Sequence, residues 1–72
     1  MSAITQPAKF EKIANILMPS NKIATMYFLR GSDQVGVFDG DKLLAVRTRL
    51  DAEKAITRAQ KENLRTEIIH YS

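Results

Sequence analysis

The sequence predicts one α+β domain of element order α-β-β-β-α-β, with a mostly antiparallel sheet and both helices on one face. Three observations carry this reading. An Asp-Gly pair lies between two extended apolar runs, two segments place apolar residues at helical spacing, and an Asp precedes the second of them. Residues 1–6 read as a flexible lead and 7–72 as the domain.

Pro7 suits the first turn of a helix, where its missing N–H is not needed, with Thr5 or Gln6 as the cap. Phe10, Ile13, Ala14 and Leu17 then form an apolar stripe. Pro19 restricts Met18 and stops the segment, which gives a first helix over 7–18 and a turn at Ser20-Asn21. The run from Lys22 to Arg30 is rich in β-formers and reads as a strand. Ile23, Thr25, Tyr27 and Leu29 share one face of it, and Ala24, Met26 and Phe28 the other. Neither face is polar, so this strand is expected to be central or covered on both sides.

Strands two and three, about 34–38 and 42–49, form a hairpin turning at Asp39-Gly40, where both residues need φ > 0. That register sets Phe38 against Asp41, Gly36 against Leu43 and Val35 against Leu44, and leaves room over Gly36 for Phe38. Val35, Val37, Leu44 and Val46 then face the helices, while Phe38, Leu43, Ala45, Arg47 and Arg49 face away. Asp51 is the expected cap of helix two, with Glu53 in its first turn. Ala52, Ala55, Ile56, Ala59 and Leu64 make its buried stripe, and the alanines imply close approach to the sheet. Residues 66–71 form a short fourth strand, reached by a right-handed crossover if it runs parallel to strand three.

A chain of 72 residues with no cysteine sits near the lower size limit for a core without a metal or disulfide. Apolar and charged fractions of 44% and 26% mark a folded chain, not a disordered one. No basic segment leads into an apolar run at the N-terminus, where Lys9, Glu11 and Lys12 interrupt, and nothing approaches a membrane span. The expectation is a cytoplasmic protein without membrane association.

The net charge of +3 is unevenly placed. Residues 1–41 carry four basic and four acidic side chains, and residues 42–72 seven and four, so the whole excess lies in the second half. Lys54, Arg58, Lys61 and Arg65 recur at i, i+4, i+7 and i+11, a row that suits phosphates, with Arg47 and Arg49 leading into it. The competing reading is a solvated helix face, diluted by Glu53 and Glu62. Asp33, Asp39 and Asp41 lack the further ligands of a calcium loop and fit turn chemistry. His70 is the sole imidazole, and no cysteine, Gly-rich phosphate loop or nucleophile spacing accompanies it. No catalytic residue, metal or cofactor is expected.

The order α-β-β-β-α resembles that of double-stranded-RNA-binding domains, whose second helix opens on a basic cluster. Here that stretch is Glu53-Lys54-Ala55-Ile56-Thr57-Arg58-Ala59, without the family's lysine pair, and Gly31-Ser32-Asp33-Gln34 lacks its Pro and His. The hairpin and helix of 34–64 also look like the arm-type DNA-binding domain of tyrosine recombinases, which lays a three-stranded sheet in a groove. That likeness covers under half the chain and rests on pattern, so no site residue is carried over from either family.

The leading expectation is a small non-enzymatic module that occupies or regulates another protein. Many inhibitors and adaptors of this size are made by phages and mobile elements against host factors. Phe38, Leu43, Arg47 and Arg49 are the expected contacts, since aromatic and Arg side chains dominate interface energetics. The alternative is DNA or RNA binding through Lys54, Arg58, Lys61 and Arg65. Small size and an apolar sheet face also leave a homodimer open.

Overall fold

Among the described residues, five strands, each antiparallel to its neighbours, form one sheet with one helix lying across one of its faces. The computed structural model describes residues 9–71. Its elements are β1 (Phe10–Leu17), β2 (Ile23–Leu29), β3 (Gln34–Asp39), β4 (Lys42–Thr48), α1 (Arg49–Lys61) and β5 (Thr66–His70). The spatial order is β4-β3-β2-β1-β5. β4 and β5 therefore run in the same direction at opposite edges, joined by the helix that crosses between them. The flexible lead expected at 1–6, and the capping and Pro7 roles beside it, lie outside the described residues.

The expected first helix is corrected: residues 10–17 are the strand β1. Its apolar residues fit a helical stripe, but a strand covered on both faces also reads as an unbroken apolar run, and spacing alone cannot separate the two. Ala14 and Ile16 point into the core, and Ile13 and Leu17 occupy the opposite face. Pro19 stops no helix. It opens the β1–β2 turn, in which the Asn21 amide donates to Met18 O at 2.8 Å and Asn21 takes φ +68°. Pro at i+1 and Asn in the left-handed region are what a short hairpin loop of this kind requires. Both-helices-on-one-face thus becomes one helix on one face, and β1 supplies the fifth strand.

The β3–β4 hairpin also differs in register. Gly40 and Asp41 form the two-residue loop, with φ +61° at Gly40 alone, and Asp39 pairs with Lys42. A lone left-handed Gly at the first loop position is the type II′ pattern; Asp39-Gly40 would have needed both residues left-handed. Phe38 therefore faces Leu43, and Gly36 faces Val46 rather than Leu43. A bulge at Leu44 then restores the pairing of Val37 with Ala45 and Val35 with Arg47. The net result moves Val46 to the open face and Ala45 and Arg47 to the helix face.

Helix α1 begins at Arg49, three residues earlier than a cap at Asp51 implies. Thr48 is the N-cap, its Oγ1 accepting from the Asp51 amide at 3.1 Å, so Asp51 sits in the first turn rather than capping it. The helix ends at Lys61. Asn63 takes φ +62° while its amide donates to Gln60 O and the Leu64 amide to Ala59 O, a Schellman closure. Leu64 packs on the core from beyond the helix.

Ala14, Ile16, Met26, Phe28 and Val35 from the sheet meet Ala52, Ile56 and Ala59 of α1 in the buried core. Val37, Ala55, Leu64 and Ile68 close its sides. Among the described residues, only Phe28 and Val35 are large side chains buried completely, so the core they form is thin. Alanine at 52 and 59 lets the helix lie close to the strands. Above Phe28, Lys12 pairs with Glu53 at 2.7 Å and holds its ammonium 4.7 Å from the ring centroid, linking β1 to α1.

Candidate binding face

The face of the sheet away from α1 is crossed by an uninterrupted uncharged row. Ile69 pairs with Ile13, Ile13 with Tyr27, Tyr27 with Gly36 and Gly36 with Val46, so the row touches all five strands. Side chains at paired positions on one face are direct neighbours, which makes this a continuous strip. A second row runs Glu67, Asn15, Thr25, Phe38, Leu43. It is polar on the β5 side, where the Thr25 hydroxyl donates to Asn15 Oδ1 at 2.8 Å, and apolar on the hairpin side.

Three aromatic rings stiffen the surface. Phe10 and Tyr27 lie 5.4 Å apart between centroids, and Tyr27 meets Phe38 edge-on at 5.2 Å with an interplanar angle of 86°. The Phe38 ring lies over Gly36: a Cβ built there would stand 2.9 Å from Phe38 Cε1. Gly36→Ala is therefore expected to push the ring off Tyr27 and cost about 1 kcal/mol, read as a lower urea midpoint at unchanged m-value. The rings, with Leu29, Leu43 and Val46, line a shallow depression of about 570 Å³, with Lys9 and Asp41 among its other lining residues. Leu43, Val46 and Ile69 remain 52%, 55% and 40% exposed, which leaves the strip open to solvent.

Of the four expected protein contacts, the fold brings Phe38 and Leu43 together on this face. Arg47 lies on the helix side, lining a groove of about 600 Å³ with Leu44, Arg58, Asp51 and Glu62 among others. Arg49 is part-buried and its donors are engaged within the fold. Its Nη1 donates to Glu11 Oε2 at 3.0 Å, its Nη2 to Leu29 O at 3.1 Å and Ser32 O at 3.2 Å, and its Nε to Ser32 O at 3.3 Å. The guanidinium carbon stands 5.6 Å from the Phe28 ring centroid. Sequence reasoning missed Phe10, Ile13, Val46 and Ile69. Helical spacing places Phe10 and Ile13 on a helix, the expected hairpin register turns Val46 to the helix side, and nothing local gives Ile69 more than a terminal strand.

The expected basic row is shortened. Lys54, Arg58 and Lys61 are exposed along α1, but Arg65 lies past the Asn63 turn and does not continue the stripe. His70 is exposed at the end of edge strand β5. Among the described residues, no group of three or more His, Cys, Asp or Glu could hold a metal ion. No helix in the described residues is long and apolar enough to cross a membrane. Comparison with protein-family models, curated proteins and solved structures returns no match.

Proposed function

We propose that this chain is a non-enzymatic binding module that contacts protein through the open face of its sheet. The observation that carries the reading is the strip from Ile69 to Val46, which crosses five strands without a charge while its ends stay exposed. Contiguous apolar surface of this kind marks an interaction site rather than ordinary protein exterior. Phe10, Tyr27 and Phe38 suit the role, because rigid aromatic rings present large contact area at low entropic cost.

Nucleic-acid binding is the competing reading. The open face is poorly made for it, since its two central rows contain no cation and one acid, Glu67, and the cations at its margins, Lys9 and Arg65, share their depressions with Asp41 and Glu67. A polyanion would instead meet Lys54, Arg58 and Lys61 on the outer side of α1. Three phosphate contacts would give a salt slope of about −2.7 for duplex DNA.

Site-specific photocrosslinking separates the two. A benzophenone side chain placed at Leu43, half-exposed on the strip, is expected to yield a protein adduct in a cell lysate. The same probe at Lys54 is expected to yield none. An adduct to nucleic acid from Lys54, with nothing from Leu43, would reverse the assignment.

A further inference from the structure

We propose that the occupant of the open face is a second copy of this chain, the two sheets stacking face to face about a two-fold axis. This inference rests on the binding-face reading and names its partner.

Area is the first argument. Five strands at about 4.8 Å spacing and about seven residues at 3.3 Å rise give a face of roughly 24 by 23 Å, or about 550 Å² in projection. The accessible area of a face studded with side chains exceeds its projection. It falls near the roughly 600–800 Å² per partner at which stable interfaces begin. A two-fold contact uses the whole face on both sides, whereas a small ligand or single peptide would leave most of it wet.

Charge is the second argument. The net +3 would oppose self-association if it lay on the contact surface. Most of its carriers lie elsewhere. Lys54, Arg58 and Lys61 lie along α1, across the sheet from the strip, and Arg47 lies on that same side. The central strip is uncharged, and the cations at the margins of the open face, Lys9 and Arg65, share their depressions with the acids Asp41 and Glu67, so two copies meet without a field of one sign.

The third argument is the thinness of the protomer. Among the described residues, eight form the buried core, three of them alanine, and α1 packs on one face of the sheet. Sheets pack face to face at about 10 Å with interdigitated side chains, and such packing would turn the aromatic row into a second core. A surface that needs permanent cover is most reliably covered by a partner made in equal amount. A second copy meets that condition.

Sedimentation equilibrium from about 1 to 100 μM, a range that brackets micromolar dimers, tests the proposal. The unmodified chain is expected at twice its 8.1 kDa mass at the upper end. Val46→Lys sets a charge at the end of the strip, at a position exposed enough to spare the fold. It is expected to weaken the dimer at least about 100-fold, with an unchanged circular-dichroism spectrum. Leu50→Lys, on α1 and 64% exposed, is expected to leave the dimer intact. A chain that stays at 8.1 kDa throughout overturns the proposal, and so does a dimer indifferent to Val46→Lys. If the monomeric chain still gives a Leu43 adduct to a different protein, only the identity of the partner fails. If it gives none, the binding-face reading fails as well.

Discussion

Phe28→Ala is expected to leave most of the protein unfolded at 25 °C. Phe28 is completely buried at the centre of β2, paired with Lys12 on one side and Val35 on the other. Truncating a buried Phe removes its transfer free energy and leaves a cavity, together about 3–5 kcal/mol. A domain of this size holds a total of about 5 kcal/mol, so little remains. Two further losses act in the same direction here. The Lys12 ammonium and the Arg49 guanidinium both rest against the ring, at 4.7 and 5.6 Å, and the short side chain would offer neither a seat. Urea unfolding monitored by circular dichroism reads the result directly. Phe28→Leu, which keeps most of the volume, is expected to retain a cooperative transition. A loss of less than about 1 kcal/mol in Phe28→Ala would mean that the core under α1 can collapse around the gap.

The fate of β1 shows where sequence reasoning stops. Strands β2 and β5 were legible because their β-formers are bounded by turn residues, and β2 alternates correctly, with Tyr27 outward and Phe28 inward. The residues of β1 carry apolar side chains to both faces, so helical and extended readings fit the same letters. What separates them is tertiary: β1 bonds to β2 on one side and to β5 on the other. The partner β5 lies at the far end of the chain, and no local pattern announces that pairing. The informative local signal was Pro19-Ser20-Asn21, which is turn chemistry as much as a helix stop.

The candidate site was half legible for a related reason. Strand parity alone places Phe38 and Tyr27, and Leu43 follows once the hairpin is recognised. Beyond Leu43 the bulge at Leu44 inserts one residue and reverses every later assignment on β4. That single residue exchanges Val46 for Ala45 and Arg47 on the open face. It removes Arg47 from a surface read as apolar with arginines and puts Val46 in the central strip.

Arg49→Ala is expected to destabilise the protein by about 2–3 kcal/mol, the largest effect of any charged residue among those described. Its guanidinium closes three elements together: Glu11 on β1, the Leu29 and Ser32 carbonyls at the β2–β3 turn, and the first residue of α1 that carries it. The Arg49 amide adds a bond to Asp33 O at 2.7 Å, which alanine retains. Removing the side chain takes both guanidinium donors from the Ser32 carbonyl and one of two donors from the Leu29 carbonyl, which keeps the Ser32 amide at 3.2 Å, and that penalty exceeds the worth of an exposed ion pair. Arg49→Lys is expected to recover only a minor part, because three donors on one nitrogen cannot span acceptors that the guanidinium meets from Nε, Nη1 and Nη2. Glu11→Gln keeps the geometry and removes the charge, so it is expected to cost no more than about 1 kcal/mol. The three urea midpoints rank these expectations. The Leu43 photocrosslink yield, normalised to the folded fraction, then separates clamp from contact: it is expected to stay constant across all three variants. A yield that fell in Arg49→Lys while the fold held would return Arg49 to the binding surface.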